Sequence, residues 1–326
     1  MALLSADGSA HAPAHNSDPF LSLQRWTALA QHAYSPNTLR AWRFDWSEFT
    51  AFCIRVNLPT FPASSSTVRA FVRDRIEAGK KPATIRRYIA TIARAHRSAH
   101  LDDPTATEEV RLAVKEMGRA LPARQRQARA LTWDEIARYL TVKPEILRDH
   151  RDRALVALAY DSMCRREEVV NLLIEDLQSH EDGSGTILIR RSKADLTGEG
   201  AVAYLSTLTM NLVKTWLTEA KLTTGPLFHA IGAGQSLKEP LRAAAVGETL
   251  KRIGRWLRLP PDQVAAISGH STRVGAAQDL LALNIDLAAV MQSGRWKDTR
   301  MPMRYGEKVL AARGGMARAA KAQGRT

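Results

Sequence analysis

Cysteines and long apolar runs are both scarce in this sequence of 326 residues. The two cysteines, Cys53 and Cys164, are too few for a disulfide framework or a zinc site. The longest strongly apolar run, Ala154 to Tyr160, is far shorter than the roughly 20 residues that span a bilayer. No basic segment precedes the few apolar residues at the N-terminus, so no secretory signal is expected. These absences predict a soluble, cytoplasmic protein without membrane association.

Positive charge, by contrast, is abundant. The chain has 47 Lys and Arg against 33 Asp and Glu, a formal net charge of +14. This excess favours a polyanionic partner such as nucleic acid, and a soluble surface that is merely basic is the alternative. Hydrophobic residues make up 45% and charged residues 25% of the chain, which is ordinary for a globular protein. The length suggests two domains.

The first part of the chain is patterned as a small helical bundle. Residues 1–19 are rich in small polar residues and contain no base, which predicts a disordered tail. In residues 20–120, apolar positions recur every three to four residues, which predicts an N-terminal helical domain. The predicted helix starts are Ser35-Pro36, Ser64 or Ser65, Pro82 and about Thr107.

The remaining chain predicts a linker and a second domain. Residues 121–131 lack apolar periodicity and contain several arginines, as expected of a linker. A Thr-x-x-Glu capping box then opens a domain over residues 132–326. This domain is predicted to be mostly helical, with a small antiparallel hairpin formed by residues 186–190 and 201–205. Helical patterning resumes at Met210 and continues to the C-terminus, so the predicted fold class is mainly α with a small antiparallel sheet.

A basic helix in the first domain is the main candidate DNA-binding surface. Between Ala78 and Leu101 there are six bases and no acid, and a solvated charged face is the alternative interpretation. Arginines suit phosphate contacts, whereas a short polar side chain can reach base edges. The candidates on this helix are Thr84, Arg86, Arg87 and Arg94, and a weaker surface after Pro36 adds Thr38, Arg40 and Arg43.

Four segments of the second domain carry chemically versatile residues. Arg165 and Glu168 are three residues apart, and Lys193 is expected at the hairpin tip. Residues 268–275 read Ser-Gly-His-Ser-Thr-Arg-Val-Gly, and Gly294-Arg-Trp296 is followed nine residues later by a tyrosine. Each has an ordinary explanation alone, such as a helical ion pair or a packed aromatic residue. Their order and spacing together are informative.

In that order the segments resemble the tyrosine recombinases of the phage integrase family, and most closely its Cre branch. The family uses an Arg with an acidic residue three positions later, a hairpin Lys, a His-x-x-Arg motif, a His or Trp, and a nucleophilic Tyr. The corresponding residues here are Arg165, Glu168, Lys193, His270, Arg273, Trp296 and Tyr305.

The resemblance implies a core-binding domain and a catalytic domain that form a C-shaped clamp around duplex DNA. It implies a site-specific recombinase of bacterial, phage or plasmid origin that forms a 3′-phosphotyrosine and exchanges strands through a Holliday junction. The implied partners are an inverted-repeat DNA site and a homotetramer on two such sites, with the C-terminal helix docking in trans. No metal, ATP or other cofactor is expected.

Chemical reasoning assigns roles to these residues. Arg165 and Arg273 can each offer paired donors to the non-bridging oxygens of a phosphorane-like state. His270 is expected to accept the phenol proton, Trp296 to donate one hydrogen bond to phosphate, and Lys193 to protonate the leaving 5′ oxygen. The acidic residue of the set, Glu168, is expected to position its neighbours rather than to transfer protons.

Some readings stay open at this point. Glu248 falls where Cre-like relatives place a base-reading residue, so it either accepts a hydrogen bond from a cytosine amino group or faces solvent. The alternative functions are a non-catalytic DNA-binding regulator and a relative of the type IB topoisomerases or telomere resolvases. A non-catalytic regulator would be expected to lack some of the candidate catalytic residues. A topoisomerase or telomere resolvase would be expected to have large additional domains.

Overall fold

The computed structural model describes residues 19–122, 124, 126–191 and 198–325, with side chains described for residue 24 and from residue 27 onward in those ranges. Most of the predicted tail, residues 1–18, therefore lies outside the described residues. The chain divides into two units, Met1–Arg126 and Gln127–Thr326, and the division falls inside the segment predicted as a linker. The predicted fold class is confirmed, since helices dominate and the sheets are small and antiparallel. Across these ranges, no helix is both long and apolar enough to cross a membrane.

Local capping chemistry sets the helices of the first unit. Ser35 accepts a hydrogen bond from the backbone N–H of Thr38, and Ser64 accepts one from that of Thr67. Proline at the first helical position fixes a suitable φ angle without losing a hydrogen bond. All four predicted helix starts are confirmed, and the helices are α1 (Pro19–Ala33), α2 (Pro36–Arg55), α3 (Ser65–Glu77), α4 (Pro82–Ser98) and α5 (Glu108–Ala120).

An aromatic core holds the first unit together. The rings of Phe49 on α2 and Phe71 on α3 lie 5.1 Å apart edge to face, and Tyr88 on α4 lies 5.6 Å from Phe71. All three side chains are buried. Each such pair contributes about 0.5–1.5 kcal/mol beyond the burial of apolar area. The core thereby fixes α4 beside α2, and the basic residues of both helices are held in place.

The second unit is built from helices around two small sheets. Its first helix, α6, begins directly after Thr132, the N-cap of the Thr132–Glu135 capping box that the sequence predicts. The elements are α6 (Trp133–Leu140), α7 (Leu147–Asp161), α8 (Arg166–Val170), β1 (Leu177–Ser179), β2 (Gly185–Ile189), β3 (Ala201–Leu205), α9 (Thr207–Ala220), β4 (His229–Ile231), β5 (Leu237–Pro240), α10 (Ala243–Trp256), α11 (Pro261–Ala266), α12 (Ser271–Ala282), α13 (Leu287–Gly294), α14 (Arg300–Tyr305), α15 (Glu307–Arg313) and α16 (Gly315–Ala322).

The predicted hairpin is confirmed, but the sheet content is larger than predicted. β2 and β3 pair antiparallel with Thr186 opposite Tyr204, and β1 adds a third strand. The expectation of helix from Met210 onward is wrong over residues 229–240, where β4 and β5 form a second hairpin. These strands are three and four residues long, too short for an alternating apolar pattern to be visible in the sequence.

Helix α7 forms the centre of the second unit. Residues 154–159, which include most of the longest apolar run of the sequence, are buried. α7 packs against both α9 and α12. Because α7 leads directly into Arg165 and α12 carries Arg273, this packing brings two distant sequence segments together.

Helix α12 also approaches the backbone ahead of α6 very closely. The Leu131 N–H donates to the carbonyl of Ser271, 2.9 Å away. A Cβ atom added to Gly275 would lie 1.8 Å from the Leu131 carbonyl oxygen. Only glycine fits this position, so the glycine that follows Val274 in the His-x-x-Arg segment has a packing role.

We predict that Gly275→Ala destabilises the protein by about 3 kcal/mol or more, because the added methyl forces α12 away from the Leu131 backbone. The matched control is Gly247→Ala in α10, where the nearest atom would lie 3.5 Å away. That change should stabilise the helix by about 0.5–1 kcal/mol. Urea unfolding followed by circular dichroism measures both, and equal midpoints for the two variants would contradict the close approach.

Candidate active site

The first candidate arginine, Arg165, lies at the junction of α7 and α8. It directly precedes α8, and its Nη1 donates to Glu168 Oε1 at 2.6 Å. Its backbone N–H donates to Glu168 Oε2 at 2.9 Å. The Glu168 side chain is only 4% exposed, whereas that of Arg165 is 23% exposed. Glu168 therefore orients a guanidinium that solvent, and hence a ligand, can still reach.

The second candidate arginine, Arg273, is almost fully buried in α12, at 2% exposure. Its Nη1 donates to the carbonyl of Met163 and its Nη2 to that of Gly294. Burial lowers the pKa of Arg273 to about 10, and the neighbouring charges of Arg165 and Arg295 act in the same direction. A group with that pKa remains protonated at pH 7, so the site keeps a buried positive charge.

The side chains of Arg273, Trp296 and Tyr305 lie next to one another in a row. The Arg273 guanidinium lies 4.4 Å from the centroid of the Trp296 ring, a cation–π contact. The Tyr305 ring lies 5.8 Å from that of Trp296, edge to face. The Tyr305 carbonyl accepts hydrogen bonds from the side-chain amides of Gln278 at 3.0 Å and Gln127 at 3.4 Å. The candidate nucleophile is thus anchored beside the arginine of its own chain.

His270 occupies the N-terminal cap of α12 and is exposed. Partial burial of its ring lowers the pKa of the imidazole below 6.5, and the charges of Arg273, Arg166 and Arg165 lower it further. A hydrogen bond with the Gly269 backbone opposes this effect. The imidazole is therefore neutral at pH 7 and able to accept a proton.

Arg295 belongs to this cluster, although the sequence analysis assigns it no role. Its Nη2 donates to Glu168 Oε2 at 2.9 Å, and its Nη1 donates to the carbonyl of Ser162 at 2.9 Å. The only sequence signal was its place between Gly294 and Trp296. Among the residues described, Arg165 and Arg295 bond the carboxylate of Glu168, and Arg295 and Arg273 share the carbonyl of Met163, so three guanidiniums accompany one carboxylate. This excess of positive charge suits an anion such as a phosphodiester.

Lys193, the candidate general acid, lies outside the described residues. The strands β2 and β3 on either side of it are described, and they form the predicted hairpin. Arg190, which follows β2, donates from Nε to the buried carboxylate of Asp176 at 2.7 Å.

The basic surface of α4 is less purely basic than the sequence indicates. Arg87 donates from Nη2 to Asp45 of α2 at 2.7 Å, and the Thr91 hydroxyl donates to the same carboxylate at 3.0 Å. Asp45 is completely buried, while the Arg87 side chain is 45% exposed. Arg94 lies over the Trp42 ring at 4.7 Å. An acidic residue 42 positions earlier in the sequence thus contributes to this surface. The sequence analysis did not include it because it counted the charges of one helix only.

The other candidate DNA-binding residues lie on the surfaces of their units. Arg86 and Arg43 are exposed. Arg40 donates to Asn37 Oδ1 at 2.8 Å, and the hydroxyls of Thr38 and Ser35 share a hydrogen bond at 2.9 Å. Two further candidates differ in exposure: Thr84 is partly buried in α4, and Glu248 is exposed on α10, where it pairs with Lys251 at 3.1 Å.

Comparison with known proteins connects this geometry to a family. The sequence pattern of the phage integrase family matches residues 129–309. An integrase/recombinase xerD homolog of Selenomonas ruminantium is 29% identical, over 83% of this chain and 82% of that protein. The recombinase cre of Escherichia phage P1 is 24% identical, over 88% of this chain and 89% of that protein.

A similarity in fold accompanies the similarity in sequence. The structure of the XerH site-specific recombinase bound to a palindromic difH substrate, in a post-cleavage complex, has a TM-score of 0.63 to this chain. The comparison covers 90% of this chain and 84% of that one, at 16% identity. At this identity the likeness shows the fold.

We predict that His270 titrates below pH 6.5, as followed by the NMR signals of its ring. Because its pKa is lowered in the folded state, the unfolded chain binds the extra proton first, so this group reduces stability as the pH falls below about 6.5. Arg166→Ala removes one neighbouring cation and should raise the midpoint. Arg138→Ala, an exposed arginine of α6 paired with Asp134, is the control and should leave it unchanged. A midpoint at or above 6.5 would contradict the predicted direction.

Proposed function

Because the chain belongs to the phage integrase family of site-specific tyrosine recombinases, we propose that Tyr305 is its nucleophile and forms a 3′-phosphotyrosine with DNA. The observation that carries this proposal is the row of Arg273, Trp296 and Tyr305, with the cation cluster around Glu168 beside it. Because these three side chains belong to one chain, the row supports a mechanism in which the phenol nucleophile and a phosphate-binding arginine come from the same protomer.

The cation cluster supplies what the reaction requires electrostatically. A phosphodiester gains negative charge on its non-bridging oxygens as the phenol oxygen attacks. The guanidiniums of Arg165 and Arg273 are held in place before the phosphate arrives, so no reorganisation is needed as that charge develops. Loss of one such donor typically costs about 3–4 kcal/mol of transition-state stabilisation.

The proposed cleavage step exchanges one phosphate ester for another. The Tyr305 oxygen forms a bond to phosphorus, and the bond from phosphorus to the 5′ oxygen breaks. His270, neutral at pH 7, accepts the phenol proton, while Lys193 supplies the proton for the departing 5′ hydroxyl. Attack of a 5′ hydroxyl on the phosphotyrosine reverses the step. Because the ester bond is conserved, rejoining requires no nucleotide hydrolysis.

Strand exchange requires more than one protomer and more than one DNA site. We assign the chain an inverted-repeat duplex site and a homotetramer on two such sites, with exchange through a Holliday junction. The fold similarity to XerH on a palindromic substrate is consistent with the inverted repeat. Helix α16 is proposed to dock on a neighbouring protomer: within the described part of the chain none of its residues is buried, and Met316 is 75% exposed.

We predict that the protein forms a covalent adduct on a nicked duplex that traps the cleaved intermediate. The duplex carries the sequence that the protein itself selects from random DNA. Tyr305→Phe should retain DNA binding and abolish the adduct, whereas Tyr204→Phe, an exposed tyrosine of β3, should leave it unchanged. Arg165→Lys should slow adduct formation roughly 100-fold, because lysine offers no paired donors.

The same assay separates the alternatives. Specific binding without any adduct in the unmodified protein would indicate a non-catalytic regulator. Relaxation of supercoiled DNA without exchange between two sites would indicate a topoisomerase-like enzyme. Either result would contradict the proposed recombinase.

We predict that Arg86→Ala weakens DNA binding at low salt by several-fold and reduces the slope of log affinity against log salt by about 1, as expected for one lost phosphate contact. The control is Arg111→Ala, an exposed arginine of α5 that pairs with Glu108. Fluorescence anisotropy over a series of salt concentrations measures the affinity and the slope for each variant. Identical slopes for Arg86→Ala and Arg111→Ala would show that Arg86 makes no phosphate contact.

A further inference from the structure

Arg295 occupies a backbone position that does not favour arginine. It follows α13 with φ 54° and ψ 45°, the left-handed conformation in which helices usually place glycine. This conformation costs a non-glycine residue about 1–2 kcal/mol. The contacts of the Arg295 side chain have to offset that cost.

Those contacts join the end of α13 to the segment that follows α7 and to helix α8. Nη1 of Arg295 donates to the carbonyl of Ser162 at 2.9 Å, just beyond the end of α7. Nη2 donates to the carbonyl of Met163 at 3.2 Å and to Glu168 Oε2 at 2.9 Å. The Arg295 side chain is only 12% exposed, so these bonds form in a largely desolvated environment where they are stronger than in water.

Two of these acceptors also hold the candidate phosphate-binding arginines. Glu168 accepts from Arg165 through Oε1 at 2.6 Å. The carbonyl of Met163 accepts from Nη1 of Arg273. Arg295 therefore shares one acceptor with each of the two arginines that the proposed mechanism places on the scissile phosphate.

Glu168 offsets part of the positive charge in this network. Burial opposes the ionisation of Glu168, but hydrogen bonds from Arg165 and the charge of Arg295 hold the pKa of Glu168 below its usual value. Without Arg295, the Glu168 carboxylate would lose one of its two guanidinium partners and become free to turn. Arg165, which depends on Glu168 for its orientation, would then lose its fixed position.

We infer that Arg295 is a positioning residue of the phosphate site: it holds Glu168 and the Met163 carbonyl so that Arg165 and Arg273 present their guanidiniums to DNA. This inference rests on the proposed recombinase function. It assigns Arg295 no contact with the phosphate.

The decisive variant is Arg295→Gly, because glycine suits the left-handed backbone and removes only the side chain. We expect DNA affinity within about twofold of the unmodified protein, since binding rests on many phosphate contacts. Adduct formation at saturating protein should slow by roughly 10- to 100-fold, because a guanidinium displaced by even about 1 Å stabilises the developing charge less well. Arg258→Gly is the matched control, because Arg258 also has a left-handed backbone (φ 55°) but an exposed side chain, and it should cleave at the unmodified rate.

A conservative variant and a double variant separate positioning from mere support of the fold. Arg295→Lys keeps the charge but lacks the rigid planar fork that directs donors to Ser162, Met163 and Glu168, so it should cleave at an intermediate rate. The double variant Arg295→Gly/Glu168→Gln should be no slower than the slower single variant, because both changes disrupt one network. Neither readout depends on equal stability of the variants, provided that rates are measured at a temperature where all remain folded.

The outcomes are distinguishable. The role of Arg295 would be overturned if the two single changes slowed cleavage multiplicatively, or if Arg295→Gly cleaved at the unmodified rate. In either case, an adduct that depends on Tyr305 would still support the proposed recombinase function. Absence of an adduct in the unmodified protein would overturn the proposed function and this inference with it.

Discussion

The second unit has to hold like charges close together before any phosphate is present. Guanidinium groups repel one another at short range, and the repulsion grows as water is excluded. Glu168 supplies the compensating negative charge, and the backbone carbonyls of Met163 and Gly294 accept the donors of Arg273. Removing one partner of a buried charge pair typically costs about 3–5 kcal/mol. The carboxylate that orients the site therefore also contributes to the stability of the fold.

The rest of the unit brings these charges together from distant parts of the sequence. Helix α7 is buried at its centre and packs against α12, so the connection into α8 meets the start of α12. Gly275 permits α12 to approach the Leu131 backbone. Gly294 serves α13 in a similar way, because a Cβ there would lie 2.1 Å from the Trp296 ring. Small residues thus set the distances at which the large functional side chains meet.

The sequence predicts what local chemistry determines. The helix starts at Ser35-Pro36 and Pro82 follow from capping and from the fixed φ of proline, and the structure confirms them. The order of the candidate catalytic residues was visible because each lies in a short motif. What could not be predicted depends on contacts across the chain, as with Asp45 pairing with Arg87 on another helix.

Arg295 illustrates the same limit within the site. Its side chain reaches Glu168, 127 positions earlier, and no spacing rule connects two residues so far apart. The short strands β4 and β5 escaped prediction for a different reason, since three or four residues carry too little pattern to distinguish strand from helix. The catalytic roles of the motif residues remain predictions until adduct formation is measured.

The indole ring that covers one face of Arg273 has a stereochemical consequence. Trp296 lies on that face, and Nη1 and Nη2 already donate to the carbonyls of Met163 and Gly294, so the surroundings of this guanidinium are asymmetric. If Arg273 binds the scissile phosphate as proposed, the pro-R and pro-S oxygens would meet different surroundings. A chiral phosphorothioate linkage at the cut position would accordingly be processed at unequal rates in its two diastereomers.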